Sequence, residues 1–323
     1  MCATPGGHPL SERLRVRVTD VADMPGNVRC LELQPAEGAL PPFRAGAHID
    51  LMLPNGLVRS YSLMNSESER HRYQIAVALE PASRGGSAFV HHSVAKGDRL
   101  TISAPRNLFP LNESARHSVL LGGGIGITPM LSMAKRLGAI GASWQLLYCC
   151  RSRAVAAFAD EVAGHAPHAA IRCDDEQSRF LDFASLMREH PRADFYCCGP
   201  KAMMAAFTDA ARSVGLPSDR VHMEYFQPPE ESMPTGGFLV ELARQRRTLA
   251  IPQGSSILEV LQAEGITATS SCEQGICGEC AVKVLAGVPD HKDYVLSDAE
   301  QAANNVMMIC CSGSKSEKLV LDI

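Results

Sequence analysis

The chain has 323 residues, 46% of them hydrophobic and 20% charged, with a formal net charge of −4. This length is too great for one compact core and predicts two or three domains. The slight acidic excess argues against nucleic acid as the main partner, and no apolar run is long enough for a membrane helix. Because residues 1–13 lack the apolar segment of a signal peptide, we expect a cytoplasmic protein whose twelve cysteines are thiols or metal ligands.

Short alternating runs dominate residues 1–112. The segments "RLRVRV", "VRCLELQP", "HIDLML", "YQIAVAL" and "DRLTISAP" predict strands joined by turns, and together a small antiparallel β-barrel. The segment "RSYSL", 59–63, ends one barrel strand, and "RGGSAFVHH", 84–92, follows another. An arginine beside a Gly-Gly-Ser turn that opens a short helix can bind a phosphate, and a neighbouring tyrosine offers a face for a flat ring.

Residues 113–228 alternate between strand and helix patterns, which predicts a parallel sheet. The segment "WQLLYCC" indicates a strand, and "AVAAFADEVAG", 154–164, a helix. The turn "GGGIGITP", 122–129, lies between a strand and a helix, where a dinucleotide pyrophosphate would bind to helix-terminal amides. Pro129 stands where the common fingerprint has its third glycine, so a simple tight turn is an alternative. The turn "CCGP", 197–200, joins a second strand and helix of the same sheet.

A Pro-, Gly- and acid-rich stretch at 229–237 predicts a linker. After it, residues 238–323 show two short strands, a helix and a cysteine loop, followed by three more strands. Ser256 and Glu259 have the spacing of a capping box at the start of that helix. This order of elements predicts a compact α+β unit.

Three cysteines lie within eleven residues of the loop "SSCEQGICGEC", 270–280, and a fourth follows after 29 residues: Cys272, Cys277, Cys280 and Cys310. The C-x4-C-x2-C spacing with one distant cysteine is that of a plant-type [2Fe-2S] cluster. Zinc is the alternative, but structural zinc sites use two pairs of closely spaced ligands. Cys311 competes with Cys310 as the fourth ligand, and the spacing favours Cys310. Gly275 and Gly278 allow backbone N–H groups to approach the sulfurs.

The order of these motifs resembles that of the phthalate dioxygenase reductase type within the ferredoxin–NADP⁺ reductase-like superfamily. The shared motifs are R-x-Y-S, Gly-Gly-Ser, G-G-x-G-x-x-P, C-G-P, a late aromatic and the cysteine set, and they span nearly the whole chain. The resemblance implies a multidomain protein. Its parts would be an antiparallel β-barrel flavin domain, an α/β parallel-sheet nucleotide domain and an α+β β-grasp ferredoxin domain.

The resemblance also implies roles for the matching residues. The flavin, FMN, would contact Arg59, Tyr61 and Ser62, and its phosphate would contact Arg84, Gly85, Gly86 and Ser87. The nicotinamide nucleotide would contact Gly123, Gly124, Gly126, Thr128, Pro129, Cys198, Gly199 and Pro200. The residues implied to be catalytic are Ser62 near the flavin N5, Cys198 near the nicotinamide, and Phe226 near the flavin ring. For Phe226, a core aromatic at the domain seam is the alternative.

The implied function is electron transfer from NADH through FMN and a [2Fe-2S] cluster to a separate Rieske-type oxygenase. The chain would be the reductase of a two-component aromatic oxygenase or O-demethylase system. Another acceptor, such as a cytochrome P450 or other monooxygenase, is the alternative. Arg151 and Arg153 follow the second strand of the sheet and favour NADPH, whereas the resemblance favours NADH. Electron transfer of this kind needs no acid–base pair, so no histidine or glutamate receives a role.

Overall fold

The computed structural model describes residues 13–81, 85–176, 180–227 and 237–323. The chain divides into two compact units, Met1–Phe226 and Gln227–Ile323. The division falls beside the predicted linker, of which residues 229–236 lie outside the described residues. Among the described helices, none combines the length and the apolar character needed to cross a bilayer.

Six antiparallel strands form the barrel of the first unit, in the order β4-β3-β6-β1-β2-β5. The alternation in "RLRVRV" follows from this sheet, because Val16 and Val18 are buried in the core while Arg15 and Arg17 are exposed. The elements are β1 (Arg13–Met24), β2 (Val28–Pro35), β3 (His48–Met52), β4 (Val58–Ser62), β5 (Tyr73–Ala78), α1 (Gly86–Ser93) and β6 (Arg99–Ser103).

Five parallel strands form the second sheet of this unit, in the order β11-β10-β7-β8-β9. The elements are β7 (Ser118–Gly123), α2 (Ile127–Ala139), β8 (Trp144–Cys150), α3 (Ala159–Ala163), β9 (Ala169–Cys173), α4 (Phe183–Glu189), β10 (Asp194–Cys198), α5 (Lys201–Ser213) and β11 (Val221–Glu224). The predicted helix at 154–164 is shorter than expected. Ala156, Ala157 and Phe158 are buried one after another, which a helix with a single apolar stripe does not allow.

The order of the parallel strands creates a crevice between β7 and β10. From β7 the chain adds β8 and β9 on one side, and it then crosses to add β10 and β11 on the other. Ligands of such sheets bind at this switch point, outside the carboxyl ends of the strands. Both predicted turns, 122–129 and 197–200, follow the two strands that border the crevice.

The second unit is a five-stranded sheet in the order β13-β12-β18-β14-β16, with a small pair β15-β17. The last strand lies parallel to the first, next to the opening hairpin, as in the predicted β-grasp arrangement. The predicted capping box is present, with Ser256 Oγ accepting from Glu259 N at 3.1 Å and Glu259 Oε2 accepting from Ser256 N at 2.8 Å. The elements are β12 (Phe238–Leu242), β13 (Arg247–Ile251), α6 (Ile257–Ala263), β14 (Ala281–Ala286), β15 (Pro289–Asp290), α7 (Asp298–Ala303), β16 (Val306–Met308), β17 (Gly313–Ser314) and β18 (Lys318–Leu321).

Candidate active site and metal centre

The fold brings the R-x-Y-S strand and the Gly-Gly-Ser turn together. A Cβ atom on Gly86 would lie 2.7 Å from Arg59 Nε, so the arginine side chain crosses directly over the turn. Gly85 has a φ of +92° and precedes α1, whose first turn has no side-chain cap. A guanidinium beside an uncapped helix start is suited to bind an anion. Arg84, the other predicted phosphate contact, lies outside the described residues.

Tyr61 and Ser87 lie next to Arg59 and Gly86 in the barrel strand and the turn. Tyr61 packs against the barrel core, and burial raises the pKa of its hydroxyl to about 12, so the ring is neutral at physiological pH. Ser87 is buried, and its Oγ accepts a hydrogen bond from Glu80 N at 3.1 Å. The hydroxyl therefore helps to hold the turn and retains a proton that it can donate.

The two glycine turns of the parallel sheet pack backbone against backbone. A Cβ atom on Gly126 would lie 2.3 Å from Cys198 O, and one on Gly123 would lie 2.8 Å from Pro200 Cδ. A Cβ atom on Gly199 would lie 3.1 Å from Gly123 Cα. These positions therefore require glycine because the two strand ends approach so closely.

In the turn 122–129, Thr128 and Pro129 stabilise the backbone, whereas Gly124 faces open space. Thr128 is buried, and its Oγ1 donates to Ile125 O at 3.0 Å. Pro129 lies in the first turn of α2, where its missing N–H removes no helical hydrogen bond. Gly124 has a φ of +53°, and a Cβ atom there would meet nothing within 4 Å. Gly124 thus borders open space, while Thr128 and Pro129 support the turn.

A seam between the barrel and the parallel sheet gathers the predicted catalytic residues. Ser62, at the end of β4, donates from Oγ to Glu224 Oε2 at 3.3 Å. Glu224 ends β11 in register with Cys198, which ends β10 and is fully buried. Phe226 is partly buried and packs against the core cluster that contains Cys198. Ser62 and Phe226, expected near the flavin, and Cys198, expected near the nicotinamide, thus lie along one seam.

Glu224 is the residue of this seam that the sequence analysis missed. Burial raises the pKa of its carboxyl to about 8, against the opposite effect of the hydrogen bond from Ser62. Burial also raises the pKa of the Cys198 thiol well above its usual value, and the nearby Glu224 charge adds to the shift. The Glu224 carboxyl therefore holds its proton more tightly than an exposed glutamate does. Recognition of "RVHME" as a last parallel strand would have placed its terminal acid beside Cys198.

The four predicted cluster cysteines form two pairs in the second unit. Cys272 lies against Cys277, and Cys280 lies against Cys310, all four with buried side chains. Among the described residues, no three of these sulfurs gather within 4.8 Å of one another. Two pairs suit two irons with two thiolates each, whereas a single tetrahedral zinc requires four converging ligands.

Backbone N–H groups point at the sulfurs, as the glycine-rich loop predicted. Gln274 N donates to Cys272 Sγ at 3.3 Å, and Cys272 N donates to Cys277 Sγ at 3.4 Å. Hydrogen bonds from Cys277 and from the backbone lower the pKa of Cys272 to about 7. Gly275 has a φ of +71°, which lets the loop fold over the neighbouring cysteines. The loop therefore supplies backbone donors to the sulfurs that would bind the cluster.

Cys310 and Cys311 differ in their surroundings. Cys310 lies against Cys280, with which it would share one iron, whereas Cys311 Sγ lies beside Ser312 Oγ. Cys311 Sγ also lies 3.8 Å from Met308 O, to which it can donate. These contacts support Cys310 as the fourth ligand.

Comparison with known proteins identifies the family. Residues 240–314 match the family model described as a 2Fe-2S iron-sulfur cluster binding domain. The chain is 52% identical over 290 residues to phenoxybenzoate dioxygenase subunit beta of Ectopseudomonas oleovorans, which covers 90% of each chain. It is 38% identical over 320 residues to phthalate dioxygenase reductase of Burkholderia cepacia, which covers 96% of this chain and 97% of that one. The chain belongs to the phthalate dioxygenase reductase family.

Solved structures agree with this family. Phthalate dioxygenase reductase, described as a modular structure for electron transfer from pyridine nucleotides to [2Fe-2S], matches with a TM-score of 0.72 and 38% identity over 96% of this chain and 98% of that chain. An intact type IV self-sufficient cytochrome P450 monooxygenase matches with a TM-score of 0.87 and 34% identity over 96% of this chain. The present chain spans only 41% of that P450 protein.

Membership of the phthalate dioxygenase reductase family makes this chain an oxidoreductase with a [2Fe-2S] ferredoxin domain. It confirms the predicted family, the three-part fold class and the reductase activity. The structure brings Arg59 against Gly86, and it brings the turns 122–129 and 197–200 against each other. It also joins Ser62 to the end of the parallel sheet and places the four cluster cysteines in two pairs. The cofactor contacts of individual residues remain predictions.

Proposed function

We propose that this chain is the reductase component of a two-component Rieske-type aromatic oxygenase or O-demethylase system. It takes electrons from NADH and passes them through FMN and a [2Fe-2S] cluster to the oxygenase. The observation that carries the proposal is the seam at which Ser62 of the barrel meets Glu224 and Cys198 of the parallel sheet. At this seam the flavin ring, held by the barrel, and the nicotinamide ring, held by the parallel sheet, would meet face to face.

The barrel residues fit FMN. The Arg59 guanidinium crosses Gly86 at the uncapped start of α1, which suits a terminal phosphate. The neutral Tyr61 ring lies on the same strand as Arg59 and can pack against a flat ring system. When bound, a flavin supplies the exchange between a two-electron donor and a one-electron acceptor.

The seam residues would orient the rings and control protons near them. Ser62 holds its hydroxyl proton toward Glu224, and a protonated Glu224 can in turn donate to a polar ring atom. Cys198 is a buried neutral thiol that shapes the pocket without charge. Phe226 packs against the core cluster that contains Cys198 and would shield the rings from water.

The nucleotide assignment favours NADH. Arg153, which the sequence placed near a possible 2′-phosphate, pairs with Glu176 through Nε at 3.2 Å. A carboxylate at this position would repel a 2′-phosphate and offset the arginine charge. The Glu176 carboxylate therefore supports the preference for NADH that the family resemblance implied.

The Rieske-type partner is inferred from relatives. Two relatives are named as parts of oxygenase or O-demethylase systems, phenoxybenzoate dioxygenase subunit beta and vanillate O-demethylase oxidoreductase. The residues 238–323 carry seven Lys and Arg against eleven Asp and Glu, a net charge of −4 that suits a transient contact with a basic surface. A cytoplasmic location belongs to the same proposal, because free thiols persist in that compartment.

A cytochrome P450 is the second candidate acceptor. The likeness to the reductase part of a self-sufficient P450, with a TM-score of 0.87, supports it. The same donor module would then serve a different oxygen-activating partner. The two candidates differ only in the acceptor and are separated by supplying each one.

The test begins with the cofactors of the purified protein. We expect FMN in the heat-released flavin and two irons per chain by metal analysis. NADH should drive the reduction of both ferricyanide and cytochrome c, and Cys310→Ser should lose only the latter. Product formation with a Rieske-type oxygenase encoded nearby, and not with a P450, would establish the partner. FAD or zinc in the purified protein would contradict the cofactor assignment.

A further inference from the structure

A second cluster of metal-ligating side chains lies outside the redox site, at the far edge of the parallel sheet. Cys173 Sγ and carboxylate oxygens of Asp175 and Glu176 all lie within 4.8 Å of one another. Cys150 Sγ lies 3.4 Å from Cys173 Sγ, because the two cysteines are register partners at the ends of β8 and β9. Neither the flavin nor the iron–sulfur chemistry uses these residues.

We propose that Cys150, Cys173, Asp175 and Glu176 form a binding site for a soft divalent cation such as Zn²⁺. Two thiolates bound to one tetrahedral zinc lie about 3.8 Å apart, given Zn–S bonds of about 2.3 Å. The observed 3.4 Å between the two sulfurs is close to that separation. Thiolate and carboxylate ligands together select zinc or cadmium over magnesium or calcium.

The surroundings of the cluster allow a metal to enter from one side. Cys150 and Cys173 are buried, whereas Asp175 and Glu176 are exposed. The thiols therefore lie on the inner side of the site and the carboxylates on its solvent side. The existing bond of Glu176 is an ion pair with Arg153 in which both side chains are about half exposed. Surface pairs of this kind contribute little and give way easily to a metal.

The geometry requires only local movement. The group of three within 4.8 Å does not include Cys150, so its side chain must rotate to complete four-fold coordination. The backbone of the acidic turn is already fixed, because Asp175 N donates to Arg151 O at 3.1 Å. The ligands thus come from two adjacent strand ends and a single turn, which is a rigid support.

Cadmium binding to the holoprotein tests the proposal, with Cd²⁺ as the probe. We expect one Cd²⁺ per chain by equilibrium dialysis and a thiolate-to-cadmium absorption band in the difference spectrum. The conservative variants Asp175→Asn and Glu176→Gln change only exposed side chains and should each weaken binding by at least about tenfold. Replacing both Cys150 and Cys173 by serine should abolish the absorption band, because no thiolate ligand of the site then remains.

Cys149→Ser is the matched control, because Cys149 is the neighbouring residue on β8 and faces the other side of the sheet. It should bind Cd²⁺ as the parent does. Visible absorbance of the iron–sulfur cluster is followed throughout, since cadmium can also displace iron. Cadmium uptake matched by iron release, or unchanged binding in both carboxylate variants, would overturn the site.

Discussion

Gly126 offers a direct test of how the two glycine turns position the nicotinamide site. Its backbone has φ −64° and ψ −1°, which alanine adopts freely, so Gly126→Ala adds a steric effect without torsional strain. The new Cβ would lie 2.3 Å from Cys198 O, although real Cβ atoms essentially never approach within 3.0 Å. The ends of β7 and β10 must therefore separate by at least 0.7 Å. Forced overpacking of this kind costs about 1–3 kcal/mol.

The same shift moves Cys198 within the seam. A misplacement of about 1 Å near reacting groups can reduce activity about 100-fold, so we expect kcat/KM for NADH to fall roughly 10- to 100-fold. The control is Gly138→Ala in α2, the helix that follows Gly126, where an added Cβ meets nothing within 4 Å. That variant should stabilise the protein by up to about 1 kcal/mol and keep its activity.

The measurements are thermal unfolding and steady-state reduction of ferricyanide by NADH, made on both alanine variants side by side. The reasoning predicts opposite shifts in Tm for the two substitutions and a loss of activity in Gly126→Ala alone. If both variants unfold at the same temperature and keep the parental kcat/KM, the close approach of the two turns does not position the site.

Four further predictions follow from the same contacts. Cys310→Ser should bleach the cluster spectrum far more than Cys311→Ser, and equal effects would reverse the ligand assignment. Folding raises the Glu224 pKa from 4.5 to about 8. The stability that this shift contributes is therefore complete below about pH 4.5 and is lost as the pH rises toward 8. Glu224→Gln should remove that part of the pH dependence of Tm. Removal of all residues after Pro229 should leave a flavoprotein that reduces ferricyanide but not cytochrome c. The kcat/KM ratio should favour NADH over NADPH by at least about tenfold, roughly 1.4 kcal/mol, and an NADPH preference would mean that Arg153 binds a 2′-phosphate.

The sequence predicted best where chemistry fixes spacing along the chain. The cysteine loop is one continuous segment, so its ligand spacing could be recognised without a fold, and only Cys310 required a distant partner. The capping box at Ser256 was equally local and is present in the structure. The helix at 154–164 was overestimated because consecutive burial at residues 156–158 depends on the packing of the whole sheet.

Contacts between distant segments were beyond sequence reasoning. The order of strands in the sheet, rather than any local pattern, brings the backbone of Gly126 against that of Cys198. Nothing near Glu224 in the sequence indicates a raised pKa, because the burial that raises it comes from elements far along the chain. A glutamate near a strand end is usually a solvated surface residue, so no role was predicted for Glu224.

The hydrogen bond between Ser62 and Glu224 is one of the contacts that join the barrel and the parallel sheet in one compact unit. The two residues are 162 positions apart, and each lies at the end of a strand in a different sheet. Each sheet alone could hold one ring of the proposed redox pair, but neither could fix the distance between two rings. A direct bond across the seam couples the position of the flavin strand to the strand end that borders the nucleotide turn. In the proposed mechanism, packing at this seam would therefore serve transfer between the two rings as well as stability.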